Sequence, residues 1–369
     1  MMRVLLFFLG WQLLQGQEPS WRILEHTEIY SFLGTSQVAV SSGGDCYLLD
    51  VMEAKIHYYA FDGKPLGEIG KKGQGPGEFF RPKKIRIFRD SLLVYDHRSL
   101  LEFALDGSFI KQHRPPENLT NIQRVPDGWV GFEGLTFRDN GGPTKLVLYQ
   151  ENFEEKTVLA QWPSEKERNP SSLMDPSGRV EYYNPVPELS KFVLNHAGTV
   201  AVVLLSGDPT LYGISIPKRA KLFEVKLDLP QIPFPEKLGL ELFQREEVAE
   251  NAAKMGLKVE PRFPEHFPPI AYLTVSHLDQ WLIKPWRLED FKAAGEAGFP
   301  NDSLRFFNFE GNSLPTTPLA YHPRIVAYRN EFYFISTTLE TEEKSIAIVP
   351  ESLAETFLEK YPEIPKVEQ

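Results

Sequence analysis

Two Asp-Gly pairs, Asp62-Gly63 and Asp106-Gly107, stand 44 residues apart, and the residues around them repeat one pattern. The first copy reads as a strand at 37–40, a turn at 41–45 and a strand at 46–50 that ends in Asp50. A strand from Ile56, the Asp62-Gly63 turn and a return at 66–70 follow. The second copy has strands at 84–87 and 92–96, the latter ending in Asp96, then a strand from Leu101, the Asp106-Gly107 turn and a return from Phe109. Asp-Gly between alternating apolar runs marks a hairpin, because glycine takes the positive φ that the turn needs. A repeat of 40–50 residues with four strands per unit predicts propeller blades.

The rest of the chain fits the same template more loosely. A third unit starts at 121–125, a fourth at 192–194, a fifth at 270–275 and a sixth at 324–327. The sixth lacks a fourth strand, since residues 352–361 read as helical, and an unassigned strand pattern sits at 21–30. Ring closure resolves both ends: the N-terminal strand completes the last blade and leaves no exposed sheet edge. The expected fold is all-β, a six-bladed β-propeller closed by an N-terminal strand. Two segments interrupt it. Residues 162–189 are rich in Pro, Ser and Glu and read as a loop. Residues 230–269, between blades 4 and 5, form an insertion with a helix expected over about 236–255.

Arg3 precedes an apolar run at 4–14 broken only by Gln12, with small Gly16 after it. That run is shorter than the roughly 20 residues a membrane span needs. It predicts a signal peptide at 1–16 and a single domain over 17–369. Export to the periplasm or the extracellular space follows, with no stable membrane insertion after the leader is removed. The one cysteine, Cys46, lies in an apolar run and is expected to be a free, buried thiol. Acidic residues exceed basic ones, for a net charge of −10, which does not favour general nucleic-acid binding, and none is expected. Apolar residues at 42% supply a core without disulfides.

The run Phe61-Asp62-Gly63-Lys64-Pro65-Leu66-Gly67-Glu68-Ile69-Gly70, then Gly73-Gln74-Gly75-Pro76-Gly77-Glu78-Phe79 and Pro82, resembles the NHL-type repeat of six-bladed propellers. The match covers residues 37–113. Residues 230–290, with Pro264, Pro268-Pro269 and Trp281, resemble exported bacterial six-bladed propellers whose roles are largely uncharacterised. The resemblance implies fold rather than activity, since propellers host enzymes, receptors and scaffolds alike.

Local motifs for chemistry are sparse. The segment 70–77 is glycine-rich but lacks the Gly-Lys-Ser/Thr ending of a phosphate loop and reads as an inter-blade turn. The eight histidines include no metal-binding spacing, and no Gly-x-Ser-x-Gly elbow or Asp-rich calcium loop occurs. No catalytic residue, metal site or cofactor is therefore assigned. Propeller function sits at a channel mouth, where inter-blade loops and second-to-third-strand loops converge. The template places Asp50, Glu53, Lys83, Lys84, Asp96, His97, Arg98, Lys284, Arg287 and Arg324 there. As a ligand site this set reduces to Asp50, Asp96, Lys83, Lys84, Arg98, Lys284, Arg287 and Arg324, a locally basic mouth suited to an anion despite the acidic total. In the bland reading, the aspartates cap turns and the cations are solvated. The leading expectation is an exported, non-catalytic, monomeric propeller that binds a protein partner or a small anionic ligand. One alternative is an enzyme resembling the gluconolactonase or strictosidine-synthase propellers, with a metal in the central channel; those lactonases hold a divalent metal with Glu, Asn and Asp side chains. Another is a carbohydrate or peptide receptor.

Overall fold

The computed structural model of the chain describes residues 21–24, 37–97, 99–135, 142–164, 182–183, 190–245, 250, 254, 260–261, 263, 265–285, 304–315, 319, 322, 324–338 and 344–360. The expected leader at 1–16 lies outside them. Strand β1 is Arg22–Ile23. The first repeat forms β2 (Val38–Val40), β3 (Cys46–Asp50), β4 (Lys55–Tyr59) and β5 (Pro65–Ile69). The second forms β6 (Lys84–Phe88), β7 (Ser91–Asp96), β8 (Ser99–Ala104) and β9 (Phe109–His113). The third gives β10 (Thr120–Val125), β11 (Gly128–Glu133), β12 (Thr144–Tyr149) and β13 (Lys156–Trp162). After β14 (Tyr182–Tyr183) come β15 (Lys191–Leu194), β16 (Val200–Leu204), β17 (Thr210–Ser215) and β18 (Ala220–Lys226). Helix α1 (Glu236–Arg245) and β19 (Glu260–Pro261) precede β20 (Ile270–Val275), β21 (Trp281–Pro285), β22 (Arg305–Phe307) and β23 (Ser313–Leu314). The last sheet contains β24 (Ile325–Arg329), β25 (Phe332–Thr338) and β26 (Lys344–Pro350), before a 3-10 turn and α2 (Ala354–Lys360).

Six four-stranded antiparallel sheets form; five follow chain order, and in the last β24, β25 and β26 are completed by β1. This is an all-β, six-bladed propeller. Contacts divide the chain into two compact units, residues 1–113 with 321–369, and residues 114–320.

In the first unit the Asp-Gly turns form as their chemistry requires. Gly63 and Gly107 have φ of 91° and 89°. Asp62 Oδ1 accepts the Lys64 N–H and Asp106 Oδ1 the Ser108 N–H. The second strand of a blade lies between neighbours on both faces, so it reads as an unbroken apolar run rather than an alternating one. β3 shows how. Cys46 and Leu48 pack with Phe334, Ile346 and Ile348 of the last sheet. Tyr47 and Leu49 face the other way, onto Ile85, Leu92 and Val94 of the second sheet. Each such apolar side chain contributes about 1.5–3 kcal/mol on burial. The outer strands β5 and β9 are exposed except for their last residue.

The last blade takes its outermost strand from the chain start. Arg22 pairs with Ile348 and Ile23 with Ala347. Leu24 donates its N–H to the Ile346 carbonyl at 3.0 Å and is buried in the core between the last and first sheets. The Arg22 guanidinium lies 4.8 Å from the centre of the Phe61 ring, and Trp21 packs edge-on against Phe357 of α2. Of the expected closing segment 21–30, residues 25–30 lie outside the described residues.

The second unit repeats the two-faced packing. On β16, Ala201 and Val203 join the cluster of the third blade, whereas Val202 and Leu204 join that of the fifth. The segment at 162–189, expected to be a loop, departs from that reading. Its β14 pairs in parallel with β19, Tyr182 opposite Glu260 and Tyr183 opposite Pro261. Two short segments far apart in sequence thus satisfy each other's backbone groups, which no local pattern announces. Beside them Phe234 and Phe267 form a small core with Ile232 and Phe263. Gly239 sits inside α1 although glycine costs a helix about 1 kcal/mol relative to alanine. A Cβ there would stand 2.6 Å from Phe263 Cδ1, so the close approach of helix and ring requires it. No helix among the described residues is long and apolar enough to cross a membrane.

Candidate functional site

In each sheet the start of the first strand and the end of the second strand share one end, because consecutive strands are antiparallel. In the first unit that end carries Lys83 and Lys84 at the head of β6, Asp96 at the end of β7, Asp50 at the end of β3 and Arg324 just before β24. In the second unit Lys284 lies near the end of β21, opposite Tyr272 of β20. Arg98 and Arg287 lie outside the described residues.

The two aspartates hold backbone. Asp50 is fully buried, and its Oδ1 accepts the N–H groups of Met52 and Glu53 at 2.8 and 2.9 Å. That arrangement shapes the β3–β4 turn. Asp96 reaches across to the inter-blade loop, where Oδ2 accepts the Phe80 N–H and Oδ1 the Arg81 N–H. Both carboxylates therefore position the loops at this end.

The inter-blade loop that Asp96 holds is fixed at further points. Glu78 accepts the Gly75 N–H at 2.8 Å and pairs with Lys71 at 3.1 Å. These contacts hold the Glu78 carboxyl below the usual carboxylate range, the Gly75 bond being the larger cause. Phe79 is fully buried, edge-on to Phe103, and its N–H donates to the Lys71 carbonyl. The next residue, Phe80, is 43% exposed. Its ring centre is 6.0 Å from that of His97, and the Arg81 guanidinium stands 5.3 Å from it. The Lys83 N–H then donates to the Tyr95 carbonyl, which sets the register of β6 against β7.

Lys84 pairs with Tyr95 across the strands, and its Nζ lies 5.2 Å from the Tyr95 ring centre. Burial, with the Arg86 guanidinium adding repulsion, pulls its ammonium down to about 8. Among the described residues no carboxylate pairs with it; the aromatic face of Tyr95 is its recorded compensation.

Arg324 is buried and donates its backbone N–H to His322 Nδ1 at 3.2 Å. Burial first, and then the Arg324 charge, lower His322 to about 4. The unfolded imidazole protonates near 6.5 while the folded one resists, so stability falls as pH drops from about 6.5 to 4. Replacing His322 by Asn keeps an acceptor and removes the titration. The urea midpoint of the variant should therefore fall less than that of the wild type between pH 7 and pH 4.5. Parallel pH profiles would contradict the assignment.

The second unit holds a lysine outside the expected set. Lys191 heads β15 as Lys84 heads β6, and burial alone lowers its ammonium. Its Nζ lies 5.9 Å from the Tyr272 ring centre. Its place in the sequence is telling: Lys191 directly precedes the expected start of the fourth unit at Phe192, and β15 begins on it. Lys284, opposite Tyr272, is 2% exposed. The same unit contains a buried carboxylate, Glu133, which accepts from the Tyr149 hydroxyl at 2.6 Å and from Lys156 Nζ at 2.7 Å. Cys46 is fully buried on β3, and burial with the Asp45 charge pushes its thiol up, so it is no nucleophile.

Residues 23–169 match a protein family described as a 6-bladed beta-propeller. The fold is that of a six-bladed propeller. Among solved structures, a duf4221-family protein from Bacteroides vulgatus is similar at 10% identity, covering 90% of this chain and 96% of the other, with a TM-score of 0.49. A Bacteroides fragilis protein for which export is proposed is similar at 10% identity, with coverages of 90% and 94% and a TM-score of 0.47. A luciferin-regenerating enzyme is similar at 9% identity, with coverages of 90% and 95% and a TM-score of 0.40. No curated protein sequence matches the chain.

Proposed function

We propose that the chain is an exported, non-catalytic propeller that binds an anionic ligand at the leading edge of its second blade, around Lys84. One observation carries this reading. Lys84 is a shielded ammonium beside a second cation, Arg86, and among the described residues no carboxylate compensates it. A bound carboxylate or phosphate would supply the missing partner and raise the ammonium back toward its ordinary range. Export rests on the leader read at 1–16. The binding role rests on the local basicity of a chain whose total charge is acidic.

Calorimetry with acetate and inorganic phosphate tests it. Binding should weaken from pH 7 to pH 9, as Lys84 loses its proton. A charge-assisted hydrogen bond contributes about 1.5–3 kcal/mol, so Lys84→Met should weaken binding by about tenfold or more at pH 7. Equal affinity in wild type and variant, with both folded by urea titration, would remove the site.

A further inference from the structure

The second blade's leading edge carries more than charge. We infer that its ligand is an aryl-substituted carboxylate, with its ring seated on Phe80 and its acid group drawn to the Lys84 end. This rests on the anion reading above and adds the class of molecule. Phe80 leaves an apolar ring in water although the chain around it is fixed at successive points. Glu78 holds Gly75, Phe79 is buried, Asp96 accepts the N–H groups of Phe80 and Arg81, and Lys83 is bonded to Tyr95. A loop so constrained presents its ring in one place, which lowers the ordering cost of binding.

The position of the exposure matters. In this unit Leu66, Phe109 and Ile110 are also exposed, but they lie on the outer strands β5 and β9. Phe80 instead stands at the end that carries Arg81, Lys83 and Lys84, and Met52, 70% exposed, tops the β3–β4 turn at the corresponding end of the first sheet. An apolar ring beside the Arg81 guanidinium, at the end that also carries Lys83 and Lys84, complements a molecule that is itself apolar at one end and anionic at the other. Phosphate or a short aliphatic acid would use the cations and leave Phe80 without a role.

The test is calorimetry with acetate, phenylacetate, 3-phenylpropionate and 4-phenylbutyrate on wild type, Phe80→Ala and Lys84→Met. The three aryl acids sample the unknown span between ring and ammonium. The best of them should bind the wild type about tenfold tighter than acetate, as expected for an aromatic contact with some apolar burial. Phe80→Ala should reduce that acid to the acetate level and leave acetate unchanged. Lys84→Met should weaken every acid. If no aryl acid exceeds acetate, or if Phe80→Ala keeps the preference while Lys84→Met still weakens all, the ring assignment is overturned and the anion site stands. If no acid binds the wild type, both are overturned.

Discussion

Replacing Trp281 with alanine should lower the unfolding free energy by about 3–5 kcal/mol, the range for deleting a large buried aromatic. The indole is fully buried on β21 and lies parallel to Phe307 with ring centres 4.1 Å apart. Phe223 stacks nearby at 6.3 Å, and Nε1 donates to the Asn308 carbonyl at 2.6 Å. Alanine would leave a cavity between two aromatic rings and remove one of two donors to the Asn308 carbonyl, which also accepts the Gly311 N–H. Urea unfolding monitored by circular dichroism measures the effect. Trp281→Phe keeps a ring but loses the donor, so it should cost distinctly less. A loss below about 1 kcal/mol for the alanine variant would show that the stack contributes little.

Protein beginning at residue 25 rather than residue 17 should be less stable by about 4 kcal/mol and prone to self-association. That loss combines burial of Leu24 with the backbone bonds that β1 makes to β26. Removing β1 also uncovers the ladder side of β26, and a bare strand edge pairs with other chains. Size-exclusion chromatography and urea titration read both consequences. A monomeric truncation with an unchanged midpoint would mean that Arg22, Ile23 and Leu24 do not close the blade.

The repeat was legible because it rests on local chemistry. Asp62-Gly63 and Asp106-Gly107 form the turns their sequence demands, and strands such as β3 and β16 are apolar along their length because both faces are covered. The missing fourth strand of the last unit, and the pattern before it could be paired, also pointed to β1. The pairing of β14 with β19 was not legible. Two residues on each side carry no periodicity, and their partnership depends on three-dimensional proximity. The site was readable only in outline. Template position placed Lys83, Lys84, Asp50 and Asp96 at one end of their sheets, but side-chain partners separate their roles. Asp96 clamps a loop, whereas Lys84 has an aromatic face and, among the described residues, no carboxylate partner. Phe80 belongs to no motif in the sequence, and only its exposure beside the buried Phe79 sets it apart.

The closing of the last blade by β1 also orders events in time. Ser345 and Leu24, joined in the finished sheet, are 321 residues apart. At about 5–20 residues per second, a ribosome adds the partner strand roughly 20–60 s after β1 is made. The unit spanning 114–320 is contiguous, so all of its strands exist before β26 does. The other unit holds both chain ends and cannot finish until the last sheet has been synthesised. During that interval β1 is a short apolar segment without a partner. Its brevity, two residues headed by Arg22, limits what it can template meanwhile.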